Sequence, residues 1–322
     1  MVCTEACGPV LITGAGGALG HYFRLAWAAD GLAGRQVVPL VRSGSKVDAW
    51  HQCSGDRIAP FEAVDLADAA QTDALIARWQ PSVVIHCAAQ ANVDTCEEDR
   101  TAAFRDNVAA TRSLVDALAR HVPSCHLIHV STDQVYRDGG GQRGDVGPVN
   151  LYGWTKLWSE DIARQHAITT VLRLNYVGKG TPSRPGLVSW LVNSLEAGKS
   201  ITLFQDVLFN PCHGSLVPVL ARKFVASGLC GVFNVGSSGG GLSKADFLLQ
   251  LAQCLHLPTE TAHLGHLSDV GLKAPRPLDM RMDVSGTAVA LGVPLPSIAS
   301  TLDELVAEWQ GVEREWKTSD VC

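Results

Sequence analysis

The 322-residue chain lacks a long hydrophobic run: no apolar stretch nears the roughly 20 residues that a bilayer-spanning helix requires. A membrane span is therefore not expected. It also lacks a basic excess. Lys and Arg number 26 against 32 Asp and Glu, for a formal net charge of −6, and no basic stripe runs through the sequence. Nucleic acid is not an expected partner. The opening residues MVCTEACGPVLITG contain no basic segment leading into an apolar run with a cleavage site. A secretory signal is not expected, and the expected location is cytoplasmic. The ten cysteines form no CxxC pair and no regular framework, so free thiols are expected rather than disulfides. Cys125-His126-Leu127-Ile128-His129 reads as a strand, whose alternate side chains face opposite sides. Ligand convergence is missing there, and no metal is expected.

What is present is a hydrophobic fraction of 46% with 18% charged residues, enough apolar material for a substantial core. Short apolar runs at 9–14, 36–41, 82–89, 126–131 and 169–175 read as strands. Helical spacing fills 18–29, 68–80, 99–121 and 151–166, with Phe104, Val108, Leu114, Val115 and Leu118 as the buried stripe of 99–121. Continuous apolar strands separated by helices predict an α/β fold: a Rossmann-type, doubly wound parallel sheet covered on both faces. The polar, glycine-rich stretch 137–148 reads as a mobile loop. From about 178 the pattern loosens, although 231–236 is strand-like and 243–256 and 301–310 are helical. The expected division is a dinucleotide-binding domain of 1–177, rejoined by 216–236. Residues 178–215 and 237–322 form a smaller C-terminal α/β substrate-binding domain.

The first strand runs directly into Gly14-Ala15-Gly16-Gly17-Ala18-Leu19-Gly20. Gly14, Gly17 and Gly20 have the spacing of a tight turn that lets backbone approach a pyrophosphate, and the helix that follows aims its amides at the anion. A glycine-rich turn with no ligand has the same look in isolation; here it follows a strand and opens a helix, the required context. An acidic residue ending the second strand would select the ribose hydroxyl of NAD. This strand ends instead in Arg42 and Ser43, with Lys46 nearby, which suits a 2′-phosphate. NADP(H) is expected over NAD(H).

In LYGWTKLWSE (151–160), Tyr152 and Lys156 lie one helical turn apart with Gly153 between them. A free tyrosine with a pKa near 10 is a poor proton shuttle at neutral pH, and a fixed cation stabilises its phenolate. Gly153 would leave room above the ring for a cofactor or substrate. The same spacing is common on amphipathic helices, so company matters. About 20 residues upstream lies VSTDQVY (130–136), where Thr132 or Ser131 offers a hydroxyl to a substrate carbonyl. Asn107 interrupts an otherwise apolar helix face, and a buried asparagine needs partners. Trp154 and Trp158 read as packing or a dimer face rather than substrate contacts.

GAGGALG, Asp65-Leu66, CAAQANVD, the Asn107 helix, STDQVY and YGWTK occur in one order along nearly the whole chain. In that order and spacing the sequence resembles the extended short-chain dehydrogenases/reductases. Within them it most resembles the dTDP-4-dehydrorhamnose reductase group: STDQVYRDG resembles STDYVFDG, LYGWTKLWSE resembles YGKTKLAGE, and RPLDMRMDVS (276–285) resembles RPxNSxLD. The resemblance implies Tyr152 as proton donor, Lys156 as its tuner and ribose holder, Thr132 as carbonyl polariser and Asn107 as relay support. It implies Gly14, Gly17, Ala18, Leu19, Gly20, Arg42, Ser43, Asp65, Leu66, Ala88, Ala89 and Gln90 around the cofactor. Asn92, Thr132 and Tyr176 fall to the substrate, Tyr176 standing where the group has a tryptophan. The group's valine-proline-aspartate segment is Val217-Pro218-Val219 here. The implied activity is NADPH-dependent reduction of the 4-keto group of a nucleotide-linked 6-deoxysugar, by a homodimer. The same group contains the regulatory beta subunit of methionine adenosyltransferase, so a non-catalytic NADP-binding subunit is an alternative, as is a nucleotide-sugar epimerase or dehydratase.

Overall fold

The computed structural model describes residues 8–28, 31–42, 58–181 and 184–311. Strands and helices alternate as β1 (Val10–Thr13), α1 (Ala18–Ala26), β2 (Val37–Val41), β3 (Glu62–Ala63), α2 (Ala69–Trp79) and β4 (Val83–His86). Next come α3 (Val93–Glu98), α4 (Arg100–Phe104), α5 (Ala110–His121), β5 (His126–Thr132), α6 (Leu151–Ala163) and β6 (Thr169–Leu174). Shorter elements follow: β7 (Tyr176–Val177), β8 (Gly180–Thr181), β9 (Arg184–Pro185), α7 (Leu187–Glu196), β10 (Ile201–Phe204), β11 (Leu208–Phe209) and β12 (Cys212–His213). The chain then runs through α8 (Leu216–Ser227), β13 (Gly231–Val235), β14 (Leu242–Ser243), α9 (Lys244–Cys254), β15 (Ala262–Gly265), α10 (Ser285–Leu291) and α11 (Ile298–Trp309).

One seven-stranded sheet orders them β13-β6-β5-β4-β1-β2-β3, and each neighbouring pair is parallel. Every residue of β1, β2 and β4 is buried, because helices cover both faces. On one face Phe23 of α1 and Trp27, its C-cap, pack with Leu220 and Phe224 of α8; on the other Leu75 and Ile76 of α2 pack with Leu114 and Leu118 of α5. A third apolar cluster joins Leu191, Phe247, Leu251 and Leu305 from α7, α9 and α11. The segment 231–236 does rejoin the sheet: β13 runs parallel to β6, with Val235 opposite Leu174. The chain winds from β1 outward to β3 and then returns to β4 on the other side of β1. That reversal opens a crevice beyond the carboxyl ends of β1 and β4, where ligands of such sheets bind. No helix among the described residues is long and apolar enough to cross a membrane.

Two expectations need correction. The helix expected over 99–121 is broken: α4 and α5 are joined by a π-helical turn, Arg105–Ala109. The wider turn rotates what precedes it, so Phe104 leaves the buried stripe and is 51% exposed, its ring 6.4 Å from that of Trp158. Trp158 in turn lies 6.0 Å from Trp154, and both are exposed. The stretch 137–148 is bonded rather than free-standing. Arg137 and Arg143 both pair with Asp145, and the Asp138 carboxylate accepts the amides of Leu278 and Asp279. The charges behind the reading of a mobile loop are spent on one another and on the 278–279 backbone.

Candidate active site

Gly14 ends β1 with φ +64°, and a Cβ there would stand 2.7 Å from the Ala88 nitrogen. Only glycine combines that left-handed turn with so close an approach. A Cβ on Gly20 would meet the Ala15 Cα at 2.6 Å, so α1 is pressed onto the strand it follows. Gly17 is the N-cap of α1 and no side chain caps the helix, whose first residue is Ala18; Leu19 turns its side chain into the core. The helix N-terminus is therefore built to receive an anion on backbone amides. The cradle fits a dinucleotide pyrophosphate.

The Thr13 hydroxyl accepts the Ala88 amide at 3.1 Å, which fixes the Ala88-Ala89-Gln90 segment beside the glycine turn. Asn107, 1% exposed in the π-turn, completes this wall. Its Oδ1 accepts the Gln90 amide at 2.7 Å, and its Nδ2 donates to the Gln90 carbonyl at 3.1 Å and to Thr155 Oγ1 of α6 at 2.9 Å. One asparagine thus ties the β4 loop to the helix carrying Tyr152 and Lys156. Its partners are those bonds, which the sequence left open; π-turns often mark functional sites.

Arg42 follows β2 and donates to Asp106 at 2.5 Å. Arg105 donates to the other Asp106 oxygen at 2.9 Å and pairs with Asp65. Ser43 and Lys46 lie outside the described residues. Leu66, expected around the cofactor, is 8% exposed and packs in the core with Val38 and Leu40.

Thr132 closes β5, and Tyr152 and Lys156 rise from the first turns of α6, which the Asn150 side chain caps through the Gly153 amide at 2.9 Å. A Cβ on Gly153 would lie 2.3 Å from the Gln134 carbonyl oxygen. This glycine lets α6 press against the turn Asp133–Val135; it does not open space above the tyrosine. Burial pushes the Tyr152 phenol well above its ordinary range, the nearby Thr132 hydroxyl works against that, and the Asp133 charge adds to it. Lys156 is 3% exposed, and burial lowers its ammonium to about 8, opposed by the Glu160 and Cys87 charges. Glu160 is locked by Arg173, which donates from Nε at 3.0 Å and from its terminal nitrogen at 2.6 Å, and by the Ser131 hydroxyl. Alternation along β5 settles which hydroxyl faces the tyrosine: Ser131 is spent on Glu160 and Thr132 is the one at Tyr152. The same alternation sends His126 to Thr170 and His129 to Ser159.

Tyr176, on β7, belongs to the same cluster: its charge is felt at Tyr152, and burial pushes its own phenol to about 12. Asn92 is placed differently. Its side-chain oxygen accepts the Thr95 amide at 2.9 Å as the cap of α3. Sequence reasoning passed over Asp133. Thr132 Oγ1 donates to it at 2.9 Å, and burial raises its carboxyl to about 6, opposed by the Thr132 bond and the Lys244 charge. It also passed over Arg105 and Asp106, and over Lys244 and Arg276, whose charges act on each other; Arg276 is paired with Asp94 at 3.1 Å. The signals for Asp133 and Arg276 were their places in STDQVY and RPLDMRMDVS. Nothing local marked Arg105, Asp106 or Lys244.

A parallel sheet in this order, with a glycine turn at its switch point and a threonine-tyrosine-lysine cluster beside it, defines a Rossmann-type α/β protein. The chain belongs to the family of the RmlD substrate binding domain, which matches residues 8–310. It is 28% identical over 290 residues to a protein of Haloferax volcanii described as a probable low-salt glycan biosynthesis reductase, Agl14, covering 87% of this chain and 95% of that one. It is 30% identical over 273 residues to methionine adenosyltransferase 2 subunit beta of Xenopus laevis, covering 80% and 79%. Among solved structures, dTDP-4-dehydrorhamnose reductase from Bacillus anthracis in complex with NADP superposes with a TM-score of 0.80 at 19% identity, covering 94% of this chain and 99% of that one.

Proposed function

We propose that the protein is an NADPH-dependent reductase acting on the 4-keto group of a nucleotide-linked 6-deoxysugar. The observation that carries this is the Thr132–Tyr152 hydroxyl pair beside buried Lys156, at the same edge of the sheet as the Gly14 turn. The family and the reductase among its relatives support the same reading. The Gly14–Gly20 turn would hold the cofactor pyrophosphate, Arg42 the 2′-phosphate and Lys156 the nicotinamide ribose. Bound there, the cofactor supplies the hydride. Thr132 would turn its hydroxyl proton from Asp133 to the substrate oxygen, and Tyr152 gives that oxygen its proton. The raised phenol pKa keeps Tyr152 protonated until the transfer, which is what a general acid requires. Lys156, held to about 8, is still largely charged at neutral pH and, one helical turn from Tyr152, would stabilise the phenolate left behind. The sugar would lie between this edge and residues 178–215 and 237–322, with Tyr176 against it.

The test is NADPH oxidation by the purified protein with dTDP-4-keto-6-deoxyhexoses. Tyr152→Phe is expected to lower turnover by about 10²- to 10⁴-fold, the usual contribution of a positioned acid, with NADPH binding kept. Unchanged turnover in Tyr152→Phe would falsify the mechanism. The relationship to subunit beta of methionine adenosyltransferase 2 favours a second reading, a non-catalytic NADP-binding subunit. Tight NADPH binding with no oxidation by any such ketosugar is its mark.

A further inference from the structure

Beyond the catalytic cluster, four charged side chains meet where β2 ends against the π-turn. Asp106 is nearly buried, its side chain 7% exposed, and each of its oxygens meets a guanidinium: Oδ2 meets Arg42 at 2.5 Å and Oδ1 meets Arg105 at 2.9 Å. Arg105 also reaches Asp65. The carboxylate is turned inward, while the two arginine side chains remain 54% and 45% exposed. A buried carboxylate needs such partners. The arrangement has a second consequence: two half-exposed cations from different elements are held side by side by one bridging group, Arg105 with one terminal nitrogen on Asp106 and the other on Asp65.

We propose that Arg105 is a second cation of the 2′-phosphate site, aligned beside Arg42 by the shared carboxylate of Asp106. The inference rests on the NADPH reading above. The end of the second strand is where the adenosine ribose 2′ position falls in folds of this kind, and Arg42 stands there. A phosphate dianion offers three acceptor oxygens, and guanidinium forks match them pairwise. Arg42 alone is a single side chain at a strand end; bridged through Asp106, it becomes half of a fixed pair. A neutral ribose hydroxyl gains little from that pair, so the selection falls on the phosphate. The alternative role for Arg105 is a brace between Asp65 and the π-turn, which would leave cofactor choice untouched.

Equilibrium binding of NADPH and NADH, with adenosine 2′,5′-bisphosphate and 5′-AMP as competitors, separates these roles without any sugar substrate or turnover. The expected result is that Arg105→Ala weakens NADPH and adenosine 2′,5′-bisphosphate about tenfold while NADH and 5′-AMP change less than about twofold. Arg105→Lys should recover part of the loss, since it restores the charge without the fork. Arg105 is half exposed, so both variants should fold, and a thermal melt checks this. If the wild type prefers NADPH and Arg105→Ala shifts all four ligands equally or none, the inference is wrong and the NADPH reading stands. If the wild type does not prefer NADPH, that reading fails and the inference fails with it.

Discussion

The glycine turn and the tyrosine cluster occupy one edge of the same sheet but are built from different material. At the turn the groups that would meet a ligand are backbone amides, placed by Gly14, Gly17 and Gly20 within seven residues. At the cluster they are side chains from β5, α6 and β7, buttressed by Asp133, Glu160, Arg173 and Asn107 from elsewhere in the chain. The first site depends on the absence of side chains and the second on their convergence. The turn should therefore fail sterically and all at once, while the cluster should fail through protonation and hydrogen bonding.

The sharpest break is Gly14→Ala. The new Cβ would have to adopt φ +64° with the Ala88 nitrogen 2.7 Å away. A non-glycine residue forced into that region carries about 1–3 kcal/mol of strain before any clash. Dinucleotide binding is expected to weaken about a hundredfold or more, because the turn must move away from Ala88. Calorimetric titration with NADPH measures the loss, and a thermal melt measures the strain. This is the mirror of Tyr152→Phe, in which binding is expected to persist and turnover to fall. If Gly14→Ala binds normally, the turn is not the pyrophosphate site.

The cluster end can be probed by pH. Asp133 has its carboxyl raised from 3.8 to about 6, chiefly by burial. The folded protein therefore holds a proton on Asp133 that the unfolded chain has already released between about pH 4 and 6. Stability contributed by the neutral form is complete below the lower value and lost as pH rises through the upper one. At 1.36 kcal/mol per unit, the cost of ionised Asp133 at neutral pH is about 3 kcal/mol. Asp133→Asn keeps an acceptor for Thr132 and cannot ionise. It is expected to gain up to about 3 kcal/mol at pH 7 and to flatten the fall in stability between pH 4 and 6. Denaturant titrations across that range decide it. An unchanged pH slope would mean that Asp133 is not held in its neutral form.

The same contrast explains what could be read without coordinates. The turn was legible because its chemistry is local: three glycines, a strand before and a helix after. The parallel sheet was legible because unbroken apolar runs such as VVPLV and VVIH demand cover on both faces. Tyr152 and Lys156 were legible as a pair one turn apart. What supports them was not. Glu160 is fixed by Arg173, 13 residues on, and Asn107 joins Gln90 to Thr155 across 17 and 48 residues. Such pairings follow from strand order, which local spacing does not contain. The π-turn was hidden for a related reason: it holds Asn107 buried, where its side chain makes those bonds, while Phe104, apolar and in phase, is left at the surface. Gly153 was read for the space it leaves, when its work is to let α6 touch the Gln134 backbone.

The smallest effect concerns Asn92, which sits in the segment after β4 and resembles a substrate residue by its position in sequence. In the fold it is exposed, and its side-chain oxygen caps α3 through the Thr95 amide. Removing such a cap costs about 1 kcal/mol. Asn92→Ala is therefore expected to lower stability by about that amount while leaving KM for the sugar nucleotide unchanged, and Asn92→Asp, which keeps the capping oxygen, should restore stability. A thermal melt and a KM measurement on each variant separate the roles. A raised KM in both variants at unaltered stability would move Asn92 from the scaffold to the substrate, and would extend the side-chain-built end of the cleft toward α3. The contrast would then lie less between two ends than between the glycine turn and everything around it.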